Sequence, residues 1–476
     1  MQNILKSLVN GNVKYNILIV GVGGVSLSRL ALYLKNIGHN IIGVDSQKTS
    51  VTKNLENSGI EIVYKHLPEN VKKAQVIIYS FAVTHQVEIK KAKELGIPVF
   101  SRAELLGEIL KKYKTSICVA GAHGKTTTTA LIYWVLNMAE YNVDLHLGGK
   151  LAMQNNLSTT LPSKNNIKSN QKQQNEIFDR CEQIAGNDLI VCEACEYKDA
   201  FLNFKPSISV VTNVAPEHLD YFKTYQNVKK SFNKFLKNSK TKICFSGAEV
   251  NCKQAITYGL KQGNFTIQNK TMLKDGTYKF KCLKNGKFYG NFKINLIGEH
   301  NVLNALACIC VCDQLNININ IIKKALSTFC GVRRRFEYLD KKRFIVHDYA
   351  HHPDEIKAVL AETKKFYKGK LLVVFQPHTY SRTKNFYNQF VNCLKDADSV
   401  AIYKTYSARE KYIKKGSAKA LAEGINDAVF FKSKIKLKNY IQQKLKQNYG
   451  ILILGAGNLP VNLNLDFLSY ANYTGN

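Results

Sequence analysis

A chain of 476 residues is too long for one ordinary hydrophobic core, and at roughly 150 residues per domain it leaves room for about three. An apolar fraction of 45% with 10% aromatics excludes wholesale disorder. The formal charge of +33 would suit a polyanionic partner, but Lys and Asn are spread through every segment rather than gathered in one patch, so no nucleic-acid partner is expected.

The opening MQNILKSLVNGNVKYNILIVG has no apolar segment leading to a small-residue cleavage site, and no later run has the length of a membrane span. A cytoplasmic protein without stable membrane insertion, monomeric or dimeric, is expected. Most of the 12 cysteines fall in predicted strands and helices, which suits buried reduced thiols better than a disulfide framework. Cys192 and Cys195 form a C-x-x-C without a second pair, and Cys308, Cys310 and Cys312 should point in different directions from one helix as core filling.

In chain order, the strand NILIV runs into the turn Gly21-Val22-Gly23-Gly24-Val25-Ser26. The helix that follows puts Leu27, Leu30, Ala31 and Leu34 on one face before Gly38 stops it. IIGVD, AQVIIYS, IPVF and the helix RAELLGEILKKY continue the alternation, which predicts an α/β, doubly wound parallel sheet over residues 1–113. The glycine turn with Asp45 on the next strand imitates a dinucleotide fingerprint, but Ser26 takes the place of its last glycine, and an oxidoreductase would leave the lysine loop below unexplained.

A second α/β unit, 114–328, opens with TSICVAG and the helix TTTTALIYWVLNMAE, then adds DLIVCEA and ISVVTN; the polar stretch Lys164–Asn175 reads as a surface insertion. From Asn264 to Ile297 the period changes to two and Asn285-Gly286 signals a hairpin, so antiparallel strands are expected there. After the helix HNVLNALACICVCDQL, the series FIVHDY, LLVVF, DSVAIYK and ILILGAG predicts a third α/β domain over 329–476.

Gly121-Ala122-His123-Gly124-Lys125-Thr126, with Thr127 after it, lies between a strand and a helix N-terminus, where backbone N–H groups and the helix dipole favour phosphate. Lys125 can neutralise terminal phosphates and the Thr126 hydroxyl can ligate magnesium. Val119 replaces the first glycine of the ordinary P-loop, so the loop is a variant one. Glu193 and His218 sit at predicted sheet ends, where ligand sites of α/β folds collect, although a single Glu or His is more often an ordinary surface group.

AGAHGKTTTT resembles the ATP loop of the Mur ligases, and GVGGVSLSRLA, EACEYKDAFL, TNVAPEHLDYF, GEHNVLNALA, GVRRRFEYLD, HDYAHHPDEI and FQPHTYSRT follow that family's order almost end to end. The resemblance is to the branch that joins L-alanine to UDP-N-acetylmuramate. It implies three domains: a Rossmann-like N-terminal domain for the nucleotide sugar, a P-loop-type central ATPase domain and a Rossmann-like C-terminal domain for the amino acid. It further implies ATP and Mg2+ as cofactors, with Lys125, Glu193 and His218 catalytic.

By the same resemblance Thr126, Glu193 and His218 bind metal, with Glu196 beside them. Asn301, Arg335 (or Arg334) and Asp348 contact the nucleotide, and Gly21, Gly23, Gly24 and Asp45 the UDP part. His351, His352, His378 and Arg382 line the alanine site. Thr379 stands where many relatives have a second arginine and is expected to offer a hydroxyl to the carboxylate. The alternatives are a murein-peptide recycling ligase, against which FQPHTYSRT speaks, and a basic nucleic-acid-binding ATPase, for which no aromatic-basic motif is present.

Overall fold

The computed structural model describes residues 2–83, 87–149, 151, 188–407, 410–457 and 459; the polar stretch Lys164–Asn175 lies outside them. The chain forms two compact units, one of Met1–Thr271, Lys279–Asn295 and Glu299–Phe329, the other of Met272–Tyr278, Leu296–Gly298 and Cys330–Asn476.

In the first unit, β1 (Asn16–Val20), β2 (Asn40–Val44), β3 (Glu61–Val63), β4 (Val76–Tyr79) and β5 (Val99–Ser101) form a parallel sheet of order β3-β2-β1-β4-β5. β1 is apolar on both faces because helices cover both: Ile17 and Ile19 pack towards Leu30 and Leu34, Leu18 and Val20 towards Val44 and Ile77. The order reverses beside β1, so the loop after this strand opens at the switch point where α/β sheets bind ligands.

The second sheet contains β6 (Thr115–Ala120), β7 (Val143–His146), β8 (Leu189–Glu193), β9 (Ile208–Val211), β10 (Thr241–Phe245), β11 (Ile256–Tyr258), β12 (Phe265–Met272), β13 (Tyr278–Lys284) and β14 (Lys287–Ile294). Their order is β14-β13-β12-β11-β10-β9-β6-β8-β7. The Asn-Gly hairpin is present: β13 and β14 are joined by Asn285 (φ 50°) and Gly286 (φ 77°), the left-handed pair a two-residue turn requires. The antiparallel expectation holds for that hairpin but not for the start of the segment, since β12 pairs parallel with β11 through Tyr258 and Phe265. Alternation along a strand reports which face is buried, not the direction of its neighbour.

The third sheet, in the second unit, is β15 (Glu337–Asp340), β16 (Ile345–Asp348), β17 (Leu371–Phe375), β18 (Ser399–Tyr403), β19 (Val429–Phe431) and β20 (Gly450–Leu454), in the order β15-β16-β20-β17-β18-β19. Only β15 runs antiparallel to its neighbour. Helix Pro353–Phe366 packs Ile356 and Leu360 on one face of this sheet, and Leu437 and Ile441 of helix Lys434–Lys446 cover the other.

The expectation of mainly buried, reduced thiols holds for nine described cysteines, while the turn after β10 brings Cys244 and Cys252 together with Cα atoms 6.3 Å apart. The reading of the helical thiols needs one correction. The three helical thiols are all buried as core filling, but Cys308 and Cys312, one turn apart, face the same way with sulfurs 3.9 Å from each other.

Candidate active site

β6 ends in the glycine loop, and the loop is fastened to the neighbouring strand end by Thr212 and Asn213. Asn213 accepts the His123 N–H (2.8 Å), while Asn213 Nδ2 (2.8 Å) and Thr212 Oγ1 (2.6 Å) donate to the His123 carbonyl. The chain turns into helix Lys125–Met138 at Gly124, whose φ is +80° and whose absent Cβ would lie 2.6 Å from Asn304 Oδ1. The His123 imidazole is exposed, 3.5 Å from Glu217.

Lys125 does not project into solvent. Its ammonium donates to the carbonyls of Gly121 and Ala122 (3.1 Å) and pairs with Glu196 at 3.1 Å. A buried ammonium needs acceptors, and these supply them where the sequence suggested phosphate oxygens alone. Glu196, 3% exposed, also lies 3.5 Å from His218 Nε2. Burial pushes the Glu196 carboxyl up, but Lys125 and His218 more than offset it and hold the group below the usual carboxylate range. The hydrogen bond to Glu196, working against burial, lifts His218 above its ordinary value, and burial is likewise outweighed at Lys125, which is raised mainly by Glu196.

The threonine run is explained by partners rather than helix propensity. Thr126 Oγ1 lies 3.1 Å from each Glu193 carboxylate oxygen, Thr129 donates to the Lys125 carbonyl at 2.8 Å, and Thr127 is half-buried. Thr128 donates to Asn304 (3.2 Å), whose amide donates to Asn301 Oδ1 (2.9 Å), and Asn301 in turn lies 3.2 Å from His300 Nε2. Asn301 is therefore 7% exposed and engaged inside the first turn of helix His300–Gln314.

Hard oxygen donors suit magnesium, and the site has them. Thr126 and Glu193 form one group; ligand atoms of Glu196, Glu217 and His218, all within 4.8 Å of one another, form a second. His218 is set there by a left-handed backbone (φ 55°) and by Tyr197, 4.9 Å from its ring. Glu217 was missed in the sequence, although it immediately precedes His218 in TNVAPEH, and Glu196 proves to be the buried partner of Lys125.

At the glycine-rich entry, Asp45 Oδ2 accepts the Gly23 N–H at 3.0 Å and Oδ1 that of Gln47 at 3.1 Å. A Cβ on Gly23 would meet the Asp45 carboxylate at 2.8 Å, so Gly23 is required by close approach and Asp45 braces the turn that Gly21 and Gly24 complete. Ser26 accepts from Arg102 at 2.9 Å and lies 2.7 Å from His146 Nε2; neither partner was singled out in the sequence, since both lie far from the turn along the chain.

In the second unit, Arg334 and Arg335 stand 4.5 and 5.1 Å from the Tyr349 ring. His351 Nδ1 lies 3.0 Å from the Tyr349 carbonyl, the His351 and His378 rings are 5.7 Å apart, and Tyr406 stacks on His378 at 5.2 Å. Arg382 reaches His378 Nδ1 at 3.2 Å. Burial, helped by Arg382 and His351, brings His378 down to about 4, so the ring is neutral and can accept that guanidinium N–H.

Three expected residues behave differently. His352 stands apart from this cluster, against Phe386 (4.6 Å) and Asp354 (3.5 Å), because it caps helix Pro353–Phe366. Thr379, at φ 70°, caps helix Tyr380–Asn385 through its hydroxyl oxygen, which accepts the Arg382 N–H at 3.4 Å, an acceptor role that leaves the hydroxyl proton to donate elsewhere. Both oxygens of buried Asp348 accept backbone N–H groups, from Phe336 (2.8 Å) and Ala350 (2.7 Å).

Among known proteins, residues 16–114 match the family description "Mur ligase family, catalytic domain", 119–312 "Mur ligase middle domain" and 334–457 "Mur ligase, glutamate ligase domain". The chain is 36% identical to the UDP-N-acetylmuramate–L-alanine ligase of Acetivibrio thermocellus, covering 95% of this chain and 96% of the relative. The crystal structure of UDP-N-acetylmuramate-alanine ligase from Thermotoga maritima superposes with a TM-score of 0.76 at 27% identity, covering 96% of this chain and 99% of that one. A murein peptide ligase from Psychrobacter arcticus shares the fold, with a TM-score of 0.66 at 20% identity over 97% of this chain and 100% of its own.

Proposed function

The chain belongs to the Mur ligase family, and from that premise we propose that it joins L-alanine to the lactyl carboxylate of UDP-N-acetylmuramate in an ATP-driven step of peptidoglycan precursor synthesis. The observation that carries this reading is the match to an alanine-joining relative along nearly the whole of both chains.

A carboxylate is a poor electrophile, so it must first be activated. In the proposed sequence the lactyl carboxylate oxygen attacks the γ-phosphorus of ATP, ADP departs, and an acyl phosphate remains. The alanine amine then attacks the acyl carbon, inorganic phosphate leaves with the bonding pair, and the amine proton passes to solvent or to a nearby base. Lys125 offsets charge on the terminal phosphates, for which it must release part of its hold on Glu196 and the loop carbonyls. The N–H groups of the glycine loop and the mouth of helix Lys125–Met138 receive the phosphate oxygens.

Thr126, Glu193 and the Glu196–Glu217–His218 group would hold Mg2+, which when bound supplies neutralisation of the charge between two anionic reactants. The turn at Gly21, Gly23 and Gly24, braced by Asp45, takes the nucleotide sugar. In the second unit Arg382 takes the alanine carboxylate, with neutral His378 fixing the guanidinium and His351 beside it. Arg335 and the backbone around Asp348 serve the nucleotide.

ADP release measured with UDP-N-acetylmuramate and L-alanine, and with each omitted in turn, tests the reading. Turnover should require both. A preference for the tripeptide L-alanyl-γ-D-glutamyl-diaminopimelate over alanine would assign the chain to the murein-peptide ligases instead.

A further inference from the structure

Ser26 stands where a dinucleotide fingerprint has glycine, and its hydroxyl is not idle. It accepts from Arg102 Nη1 at 2.9 Å and lies 2.7 Å from His146 Nε2. His146 ends β7, 2% exposed and in register with Cys192, the residue before Glu193. Arg29, one turn beyond Ser26, donates to the carbonyls of Leu147 (2.6 Å) and Gly149 (3.1 Å), and between them the Gly148 N–H donates to Glu193 Oε2 at 2.9 Å. An unbroken set of contacts thus runs from the glycine turn through Ser26, His146 and residues 147–149 to the carboxylate that faces Thr126.

The ring is an unfavourable choice for packing alone. Its Nδ1 is buried and has no hydrogen-bond partner among the described residues, a penalty that an apolar side chain of similar bulk would not incur. Burial, with Arg102 and Arg29 nearby, holds the imidazole neutral. Arg102 donates to the Ser26 oxygen, which leaves the Ser26 proton free to go to Nε2. The one feature of this ring that an apolar residue could not supply is therefore its hold on Ser26.

We propose that His146 is a positioning residue: through Ser26, and with Arg29 beside it, it fixes the glycine turn to the Gly148–Glu193 hydrogen bond, so that the nucleotide-sugar turn and the metal-binding carboxylate keep one geometry. The inference rests on the reading that this turn holds the nucleotide sugar and adds the strut that sets it.

Hydrogen exchange of the unliganded protein reads the strut without the reaction. In His146→Phe the amides of 21–28 and 147–149 should exchange faster together, by roughly tenfold, with helix Tyr225–Lys237 unchanged. In steady state, His146→Phe and Ser26→Ala should each raise KM for UDP-N-acetylmuramate about tenfold and leave KM for alanine unaltered, and the double variant should be no worse than either. His146→Gln, which can still meet Ser26, should return to within about threefold of the parent.

Unchanged exchange in both segments, additive single effects, or an equal rise in KM for alanine overturns the proposal. Should His146→Phe fail to fold, Ser26→Ala, a change at a half-buried hydroxyl, gives the same two readings. If the parent protein does not ligate alanine to UDP-N-acetylmuramate, the functional reading fails, and the exchange data alone decide on the strut.

Discussion

The proposed phosphate role of Lys125 and its ion pair with Glu196 can both be read from one substitution. Lys125→Ala should lower turnover by at least about 10³-fold, since an ammonium at a developing phosphoryl charge has no substitute in the loop. The fold will also suffer, because Glu196 is left buried without its cation, at a cost of roughly 3–5 kcal/mol at neutral pH. In the parent, the lowered Glu196 contributes stability above the ordinary carboxylate value, and that contribution is lost as pH falls through the lowered one. In the variant His218 and a backbone N–H still oppose burial but the largest opposing charge is gone, so the carboxyl moves up and folding takes up a proton; the gap in Tm to the parent should narrow between pH 7 and pH 5. A gap that widens on acidification contradicts the pairing. The placing of Lys125 and Thr126 at a helix start and of Glu193 at a strand end was readable because loop spacing and sheet ends are local features. The sequence left Glu196 and Glu217 in the background, because burial and ion pairing are set by strands far apart in the chain.

At the scale of elements, two helices that begin at the site are joined by polar side chains. Thr128 on helix Lys125–Met138 and Asn301 on helix His300–Gln314 meet through Asn304, which is 6% exposed. Asn304→Ala leaves buried partners unsatisfied and should cost about 1–3 kcal/mol, with weaker nucleotide binding because Gly124 rests against that amide. Thermal unfolding and a nucleotide titration check both; an unchanged Tm would show that the network is replaceable by packing. The β-α alternation of the first and third sheets was readable from hydrophobic runs and glycine turns. The partnership of β12 with β11 was not, since pairing direction depends on a contact that period-two patterning does not encode.

For the molecule as a whole, acid sensitivity is shared: His146 and Glu196 contribute in the first unit, and three lowered histidines contribute in the second. His347 is brought down to about 3, mainly by burial and then by Arg334, His378 to about 4, and His351 is lowered as well. An unfolded histidine binds its proton near pH 6.5, so between about pH 6.5 and 4 the unfolded state holds more protons, and stability must rise with pH across that window. Calorimetry should show the second unit's transition falling by roughly 5 °C or more from pH 7 to pH 5. A transition that is flat over this range would mean the imidazoles protonate without penalty.

The second unit also includes two short pieces from earlier in the chain, Met272–Tyr278 and Leu296–Gly298. Tyr278 donates to Glu362 at 3.2 Å, and a side chain at Gly276 would collide with the Phe366 ring, so the first of these pieces lies flush against helix Pro353–Phe366. A gene fragment begun at residue 330 therefore encodes a body stripped of part of its own wall. It should resist proteolysis less well than the same residues in the intact polypeptide, and supplying a synthetic 272–298 peptide in trans should restore some of that resistance.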